Sequence, residues 1–271
     1  MKKSSGIIAF SYFLQKEGMS SNTQQAYLTT VTYFLQHYNP VSKDLLAYKG
    51  YLLSHYKPKT VNLRIQALNR YLSFIGMSDL RLKAIKIQAK PYLENVISDA
   101  DYRFFKTQLF ADQDPDLGMA VWFLGATGAR VSELLQIKAE HVKAGYIDLS
   151  TKGGKVRRIY IPAHLAKEAL SWLQQKNLAS GYIFLNHNRQ RITSRGLSQK
   201  LRDAARKYHL NVKEVHPHSF RHRFAKNFLE KYQDIALLVD LMGHESIETT
   251  RIYLRRTATE QQTLFNQIVD W

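Results

Sequence analysis

The chain has 271 residues, 45% of them hydrophobic, which is enough for two domains with real cores and excludes a disordered chain. Its 39 Lys and Arg against 22 Asp and Glu leave a formal charge of +17, which points to a polyanionic partner, nucleic acid before a ribosomal or membrane-surface role. There is no cysteine, so disulfides and thiolate chemistry are excluded, as suits a reducing cytoplasm, and no run reaches the roughly 18 apolar residues of a membrane span.

The charge is uneven. Residues 1–90 hold 13 Lys and Arg against 3 Asp and Glu, so the N-terminal part has the denser positive field. Met1-Lys2-Lys3 before Ile7-Ile8-Ala9-Phe10 faintly resembles a signal peptide. Ser11, Gln15, Lys16 and Glu17 break the apolar run, and no small-residue cleavage site follows, so that reading is rejected.

The N-terminal part reads as four short helices. Ile8, Tyr12 and Phe13 mark the first, broken at Gly18. Ser21 or Asn22 can cap a second carrying Ala26, Tyr27, Thr30, Tyr33 and Phe34, ended by Pro40. Leu45, Leu46, Leu52 and Leu53 mark a third. Pro58 and Thr60 open a fourth with Val61, Ile65, Leu68, Tyr71, Leu72 and Ile75 at helical spacing, closed by Gly76. We place this domain at 1–85 and a linker at 86–97, where Pro91 pushes Lys90 towards an extended conformation. Ser98, with Asp101 three residues on, caps the first helix of a second domain at 98–271. That domain reads as mostly helical. A small sheet runs from Gly145–Leu149 to Arg158–Pro162, and Gly181–Leu185 is a candidate third strand. No internal repeat or low-complexity tract is present.

Four segments of the second domain carry chemistry. In Ala126-Thr-Gly-Ala-Arg130-Val-Ser-Glu133, Gly128 permits a tight turn into a helix. Arg130 and Glu133 share a face, where a carboxylate presets a planar guanidinium fork for a phosphate. Taken alone, the segment is an ordinary surface helix with an ion pair. In Thr151-Lys152-Gly-Gly-Lys155, a lysine at a glycine-rich hairpin tip can reach a groove as a charge or proton donor, although most such turns are merely solvated. In His216-Pro217-His218-Ser219-Phe220-Arg221-His222, Pro217 suits the first helical position, so His218 and Arg221 share a face. Three close histidines invite a metal, but the missing cysteines and scarce carboxylates argue against one. In Leu241-Met-Gly243-His244 through Tyr253, Gly243 ends a helix as a left-handed cap and Ser246 can cap the helix carrying Tyr253. The plain alternative for Tyr253 is packing, as for most of the 16 tyrosines.

Together the residues suit attack on a phosphodiester. A tyrosine attacks, two arginines and two histidines clamp the anion, and a lysine protonates the leaving oxygen, with no metal. The order Arg, Lys, His-x-x-Arg, Gly-His, Tyr resembles the tyrosine recombinase (lambda integrase-type) family, with a layout most similar to its Xer-like branch. Tyr253 follows His244 by nine residues and Arg221 by 32, and the match spans nearly the whole chain. Phe220 and Met242 depart from the usual leucines.

The resemblance implies a mainly α fold with a small β-sheet. It gives an N-terminal helical bundle that binds core DNA (SAM-like) and a C-terminal α+β catalytic domain. It implies catalytic roles for Arg130, Lys152, His218, Arg221, His244 and Tyr253, with Glu133 orienting Arg130. His218 takes the tyrosine proton or donates a hydrogen bond. Lys155 is second choice to Lys152 as the acid. The implied reaction passes through a 3′-phosphotyrosyl link and a Holliday junction, without cofactor, metal or ATP. The implied partners are double-stranded DNA with paired core sites, three further protomers, and an accessory protein or second recombinase. In the N-terminal domain, Thr60, Asn62 and Arg64 would face a groove while Lys57 and Lys59 sit on phosphates. The tail, 257–271, carries an apolar stripe of Leu264 with Ile268 and Phe265 with Val269. It either packs on its own domain or exchanges into a neighbour, as the family does. The rival readings are a type IB topoisomerase, a silent DNA-binding regulator, and a metal-dependent nuclease, the last disfavoured by the lack of an acidic cluster.

Overall fold

The computed structural model describes residues 2–88, 93–150, 156–243, 247–254 and 258–269. The chain divides into two compact units, Met1–Ala89 and Lys90–Trp271. Lys90, Pro91, Lys152, Lys155, His244 and Ser246, on which several expectations fall, lie outside the described residues.

The first unit is a four-helix bundle of α1 (Lys2–Lys16), α2 (Ser21–His37), α3 (Ser42–His55) and α4 (Pro58–Phe74). Ser20 caps α2, accepting from Thr23 N at 3.3 Å, one residue before the cap expected. Pro58 at the first turn of α4 loses no helical hydrogen bond there. Apolar residues at three- and four-residue spacing turn one face of each helix inward. Phe10, Leu14, Val31, Phe34, Leu45, Tyr48, Leu52, Ile65 and Leu68 form the core. Ile8 and Tyr12, which marked α1 in the sequence, are exposed, because Phe10 and Leu14 take the inward face.

Past the 3-10 turn Ser78–Leu80, the chain runs extended along α4, held by two asparagines two turns apart. The Asn69 amide exchanges a pair of 2.9 Å hydrogen bonds with the backbone of Leu82. Asn62 does the same with Ile85, also at 2.9 Å. Each amide imitates a strand neighbour. This gives Asn62 a structural task beside the groove-facing one expected.

The second unit has ten helices and one two-stranded sheet among its described residues. The helices are α5 (Asp99–Ala111), α6 (Pro115–Thr127), α7 (Val131–Leu134), α8 (Ala139–Ala144), α9 (Ala163–Gln175), α10 (Ser194–Lys207), α11 (Pro217–Tyr232), α12 (Ile235–Met242), α13 (Ile247–Arg251) and α14 (Ala258–Ile268). Strands β1 (Tyr146–Ser150) and β2 (Val156–Tyr160) pair antiparallel in the register Tyr146 to Tyr160. Helix α6 is apolar all round and therefore buried, packed by α5, α9 and α11. Ser98 caps α5, accepting from Asp101 N at 3.0 Å.

The third strand expected at Gly181–Leu185 is not formed. Its backbone bonds are divided between two partner segments, Ile183 N donating to Ile137 O at 3.2 Å and Phe184 O accepting from Ile192 N at 3.0 Å, so no continuous ladder forms. The segment makes isolated bridges instead, Lys138 to Tyr182 and Leu185 to Arg191.

Asn62→Ala leaves both polar groups of Ile85 without these partners. We expect it to destabilise the first unit by about 1–2 kcal/mol in denaturant unfolding, with DNA affinity retained. Lost affinity at unchanged stability would support the groove-facing reading over the structural one.

Candidate active site

Helix α6 stops because Gly128 takes a left-handed conformation, φ 62°. A Cβ there would collide with the ring of Phe224 on α11, so only glycine lets the turn lie against that helix. The turn delivers Arg130 to the N-cap of α7. Glu133 at the third helical position reaches back, accepting from Arg130 N at 2.7 Å and from Arg130 Nη1 at 2.8 Å.

Glu133 does more than orient Arg130. Its other partner is Arg157, an inward-facing residue of β2, in a direct ion pair, and Arg221 Nη1 lies 3.9 Å from Oε2. Arg157 and Arg221 are 5% and 1% exposed, so the single carboxylate serves two deeply buried guanidinium groups and the half-exposed Arg130.

The same three arginines take three successive carbonyls at the C-terminus of α12. Arg157 donates to Leu241 O at 2.9 Å through Nη2 and 3.3 Å through Nε. Arg221 Nη2 donates to Met242 O at 2.7 Å, and its Nη1 to Gly128 O at 2.6 Å. Arg130 Nη2 is 3.4 Å from Gly243 O. A helix leaves its last carbonyls unpaired and partly negative, so cations are favoured there. Gly243 is left-handed, φ 58°, and a Cβ on it would strike the Arg157 side chain.

Burial alone would raise the Glu133 pKa. Arg157, the Arg130 backbone and the Arg130 side chain outweigh it and hold the carboxyl below the usual range. Burial, then Arg130 and Arg157, push Arg221 down to about 10, which still leaves it charged at neutral pH. Three guanidinium groups against one carboxylate leave a surplus of positive charge suited to an added anion.

Helix α11 supplies the next layer. His216 caps it through Nδ1, accepting from Ser219 N at 3.2 Å, and Pro217 follows at its first position. Ser219 is fully buried and accepts from Ile97 N at 2.7 Å, tying α11 to the segment before α5. His218 meets His222 edge-on, ring centroids 4.8 Å apart, and His222 lies 5.2 Å from the ring of Tyr253. Tyr253 sits in the 3-10 turn Ile252–Leu254, 5% exposed, packed with Ala225, Leu229, Leu238 and Met242.

Burial raises the Tyr253 pKa, opposed by the charge and hydrogen bond of Arg221 and the charge of Arg130. The phenol is therefore protonated at neutral pH, and any attack by its oxygen would need a base. Burial lowers the His218 pKa, and Arg221, His216 and Arg130 lower it further. His218 is thus neutral at pH 7 and able to accept a proton.

Arg130, Glu133, His218, Arg221 and Tyr253 therefore lie on one framework. Lys152, Lys155 and His244 lie outside the described residues. In the first unit, Lys57 caps α4, Lys59 is exposed, Thr60 is half-buried, and Arg64 lies 4.0 Å over the Tyr56 ring. No group of three or more His, Asp or Glu fit for a metal occurs among the described residues. Sequence reasoning missed Arg157 and left His222 without a task. The signal for Arg157 was its alternation with Ile159, the inward residue two positions on.

Glu133→Gln removes the counter-charge of buried Arg157 and Arg221, and we expect a loss of roughly 3–5 kcal/mol in denaturant unfolding. In the free protein, nuclear magnetic resonance should show His218 titrating below the ordinary value of about 6.5. The sign follows from the lowered folded pKa. Its stabilising contribution is complete above about 6.5 and is lost as pH falls towards the folded value. A His218 titration above the ordinary value would contradict this electrostatic account.

The sequence pattern of the phage integrase family matches residues 107–260. Tyrosine recombinase XerA of Pyrococcus furiosus is 31% identical over 257 residues, covering 92% of this chain and 88% of that protein. Tyrosine recombinase XerD of Listeria innocua is 26% identical over 286 residues, covering 94% and 95%. Among solved structures, the Tn1549 transposon integrase in complex with transposon right end DNA matches with a TM-score of 0.74 at 15% identity, over 97% of this chain and 98% of that one. A lambda integrase dimer bound to a COC′ core site matches at 0.71 and 18% identity, over 92% and 94%. These structural likenesses speak to the fold, which is mainly α with a small sheet. The sequence matches carry the assignment: the chain belongs to the phage integrase family and is a Xer-like tyrosine site-specific recombinase.

Proposed function

We propose that this recombinase cuts and rejoins DNA at paired core sites through Tyr253, with Arg130 and Arg221 gripping the scissile phosphate. The observation that carries the reading is a buried tyrosine hydrogen-bonded to an equally buried arginine, beside a second arginine that is half-exposed. Tyr253 Oη forms a bond to phosphorus as the bond to the 5′ oxygen breaks. The phenolic proton passes to neutral His218, and Lys152, with Lys155 as the alternative, gives a proton to the leaving 5′ oxygen, which departs as the 5′-hydroxyl. His244 donates to a non-bridging oxygen. The 3′-phosphotyrosyl link keeps the energy of the broken bond, so a partner strand's 5′-hydroxyl reverses the step with neither ATP nor metal. Two such exchanges pass through a Holliday junction.

Paired sites call for several copies, and four protomers would hold them. On α14, Phe265 and Ile268 are 63% and 65% exposed, which favours docking on a neighbouring copy over packing at home. An accessory protein or second recombinase is compatible with the same scheme. No helix among the described residues is long and apolar enough to cross a membrane. We place the enzyme in the cytoplasm, with DNA.

The test uses nicked duplexes from the gene's own locus, in excess EDTA, resolved on a denaturing gel. We expect a covalent adduct that persists in EDTA and is absent from Tyr253→Phe. Tight DNA binding without an adduct would turn the reading towards a silent DNA-binding protein. Truncation after Arg256 should abolish synapsis of two sites and leave single-site binding intact. Unchanged synapsis would rule out exchange of the tail.

A further inference from the structure

Arg157 occupies a place where strand alternation calls for an apolar residue. In β2 the inward positions are Arg157 and Ile159, and Arg157 pairs in register with Leu149. A guanidinium 5% exposed is costly to bury unless its donors and charge are all answered. Here Glu133 answers the charge, and Leu241 O accepts from both Nε and Nη2. The stem packs so closely on Gly243 that no other residue fits there. Arg157 therefore joins three segments that are far apart in sequence. These are the strand leaving the Lys152–Lys155 segment, the turn bearing Arg130, and the end of α12, two residues before His244.

We infer that Arg157 is a positioning residue for strand cleavage. It holds Glu133, and through it Arg130, in register with the Leu241–Gly243 turn, without itself touching the phosphate. Its depth supports an indirect role, since Arg130 at 40% side-chain exposure is the open member of the group and Arg157 at 4% is closed behind Glu133. Lysine cannot substitute fully, because the task needs a planar fork that serves a carboxylate and a carbonyl at once. The inference rests on the proposed roles of Arg130, Arg221 and Tyr253.

The experiment is single-turnover adduct formation on nicked duplex at saturating protein, with the full chain. It compares wild type, Tyr253→Phe, Arg157→Met, Arg157→Lys, and Arg157→Met combined with Glu133→Gln. We expect Arg157→Met to lower the rate constant by about 100-fold while DNA affinity and the final adduct yield hold. Arg157→Lys should recover part of the rate. Measured beside Glu133→Gln alone, the double variant should lose less than the product of the two single losses, because both changes break the Glu133–Arg157 pair. If Arg157→Met does not fold, the rate constant of Arg157→Lys decides, and it must fall below wild type. A reduced yield at an unchanged rate constant would mean packing alone and overturn the inference. So would a fall in affinity that accounts for the lost rate, which would put Arg157 on the DNA. An adduct in wild type that Tyr253→Phe lacks keeps the underlying reading standing whichever way Arg157 falls. No wild-type adduct would sink both.

Discussion

One carboxylate governs the catalytic unit. Glu133 is the nearest anion to three guanidinium groups, and two of those are buried beyond the reach of bulk water. Without it, Arg157 and Arg221 would be uncompensated charges in a medium that penalises them heavily. With it, each arginine can turn its remaining donors to the bare carbonyls of α12, one to Leu241, one to Met242 and one to Gly243. The helix end, the α7 turn and strand β2 are thus one electrostatic unit, and its geometry precedes any DNA.

That order suits the chemistry. A phosphoryl transition state gains most from donors already aimed at the oxygens where charge develops, because none must reorganise during the reaction. The cluster retains surplus positive charge, which an incoming phosphate can balance. The same field works on the titrating pair. Burial keeps Tyr253 protonated and His218 neutral, and the arginines oppose burial at the tyrosine while reinforcing it at the histidine. The histidine is left able to accept a proton and the phenol holding one, which is the starting state that the proposed attack requires.

Much of this was legible in the sequence because the chemistry demands particular residue types at particular spacings. Gly128 and Gly243 read as turns, and both are left-handed where a side chain would collide. Arg130 and Glu133, three apart, read as an ion pair and are one. Arg157 was hidden because five strand residues in a basic hairpin look solvated, and only tertiary packing shows which side faces in. Asn62 read as a groove residue from its place at the opening of α4, and its structural task was hidden. Its backbone partner lies 23 residues away, a pairing no local pattern displays. Gly181–Leu185 had strand composition, yet its bridges go to two different segments, at Lys138 and at Arg191, and tertiary context overrode propensity.

The most direct measurement is a crystal structure of the chain on a duplex whose scissile phosphate is replaced by vanadate, which adopts the five-coordinate geometry of the transition state. We expect vanadium bonded to Tyr253 Oη. Arg130 and Arg221 should lie within hydrogen-bond distance of its non-bridging oxygens, with the Glu133–Arg157 pair still closed behind them. Vanadium bonded to another side chain, or Arg221 turned away from it, would overturn the roles proposed for Tyr253 and Arg221.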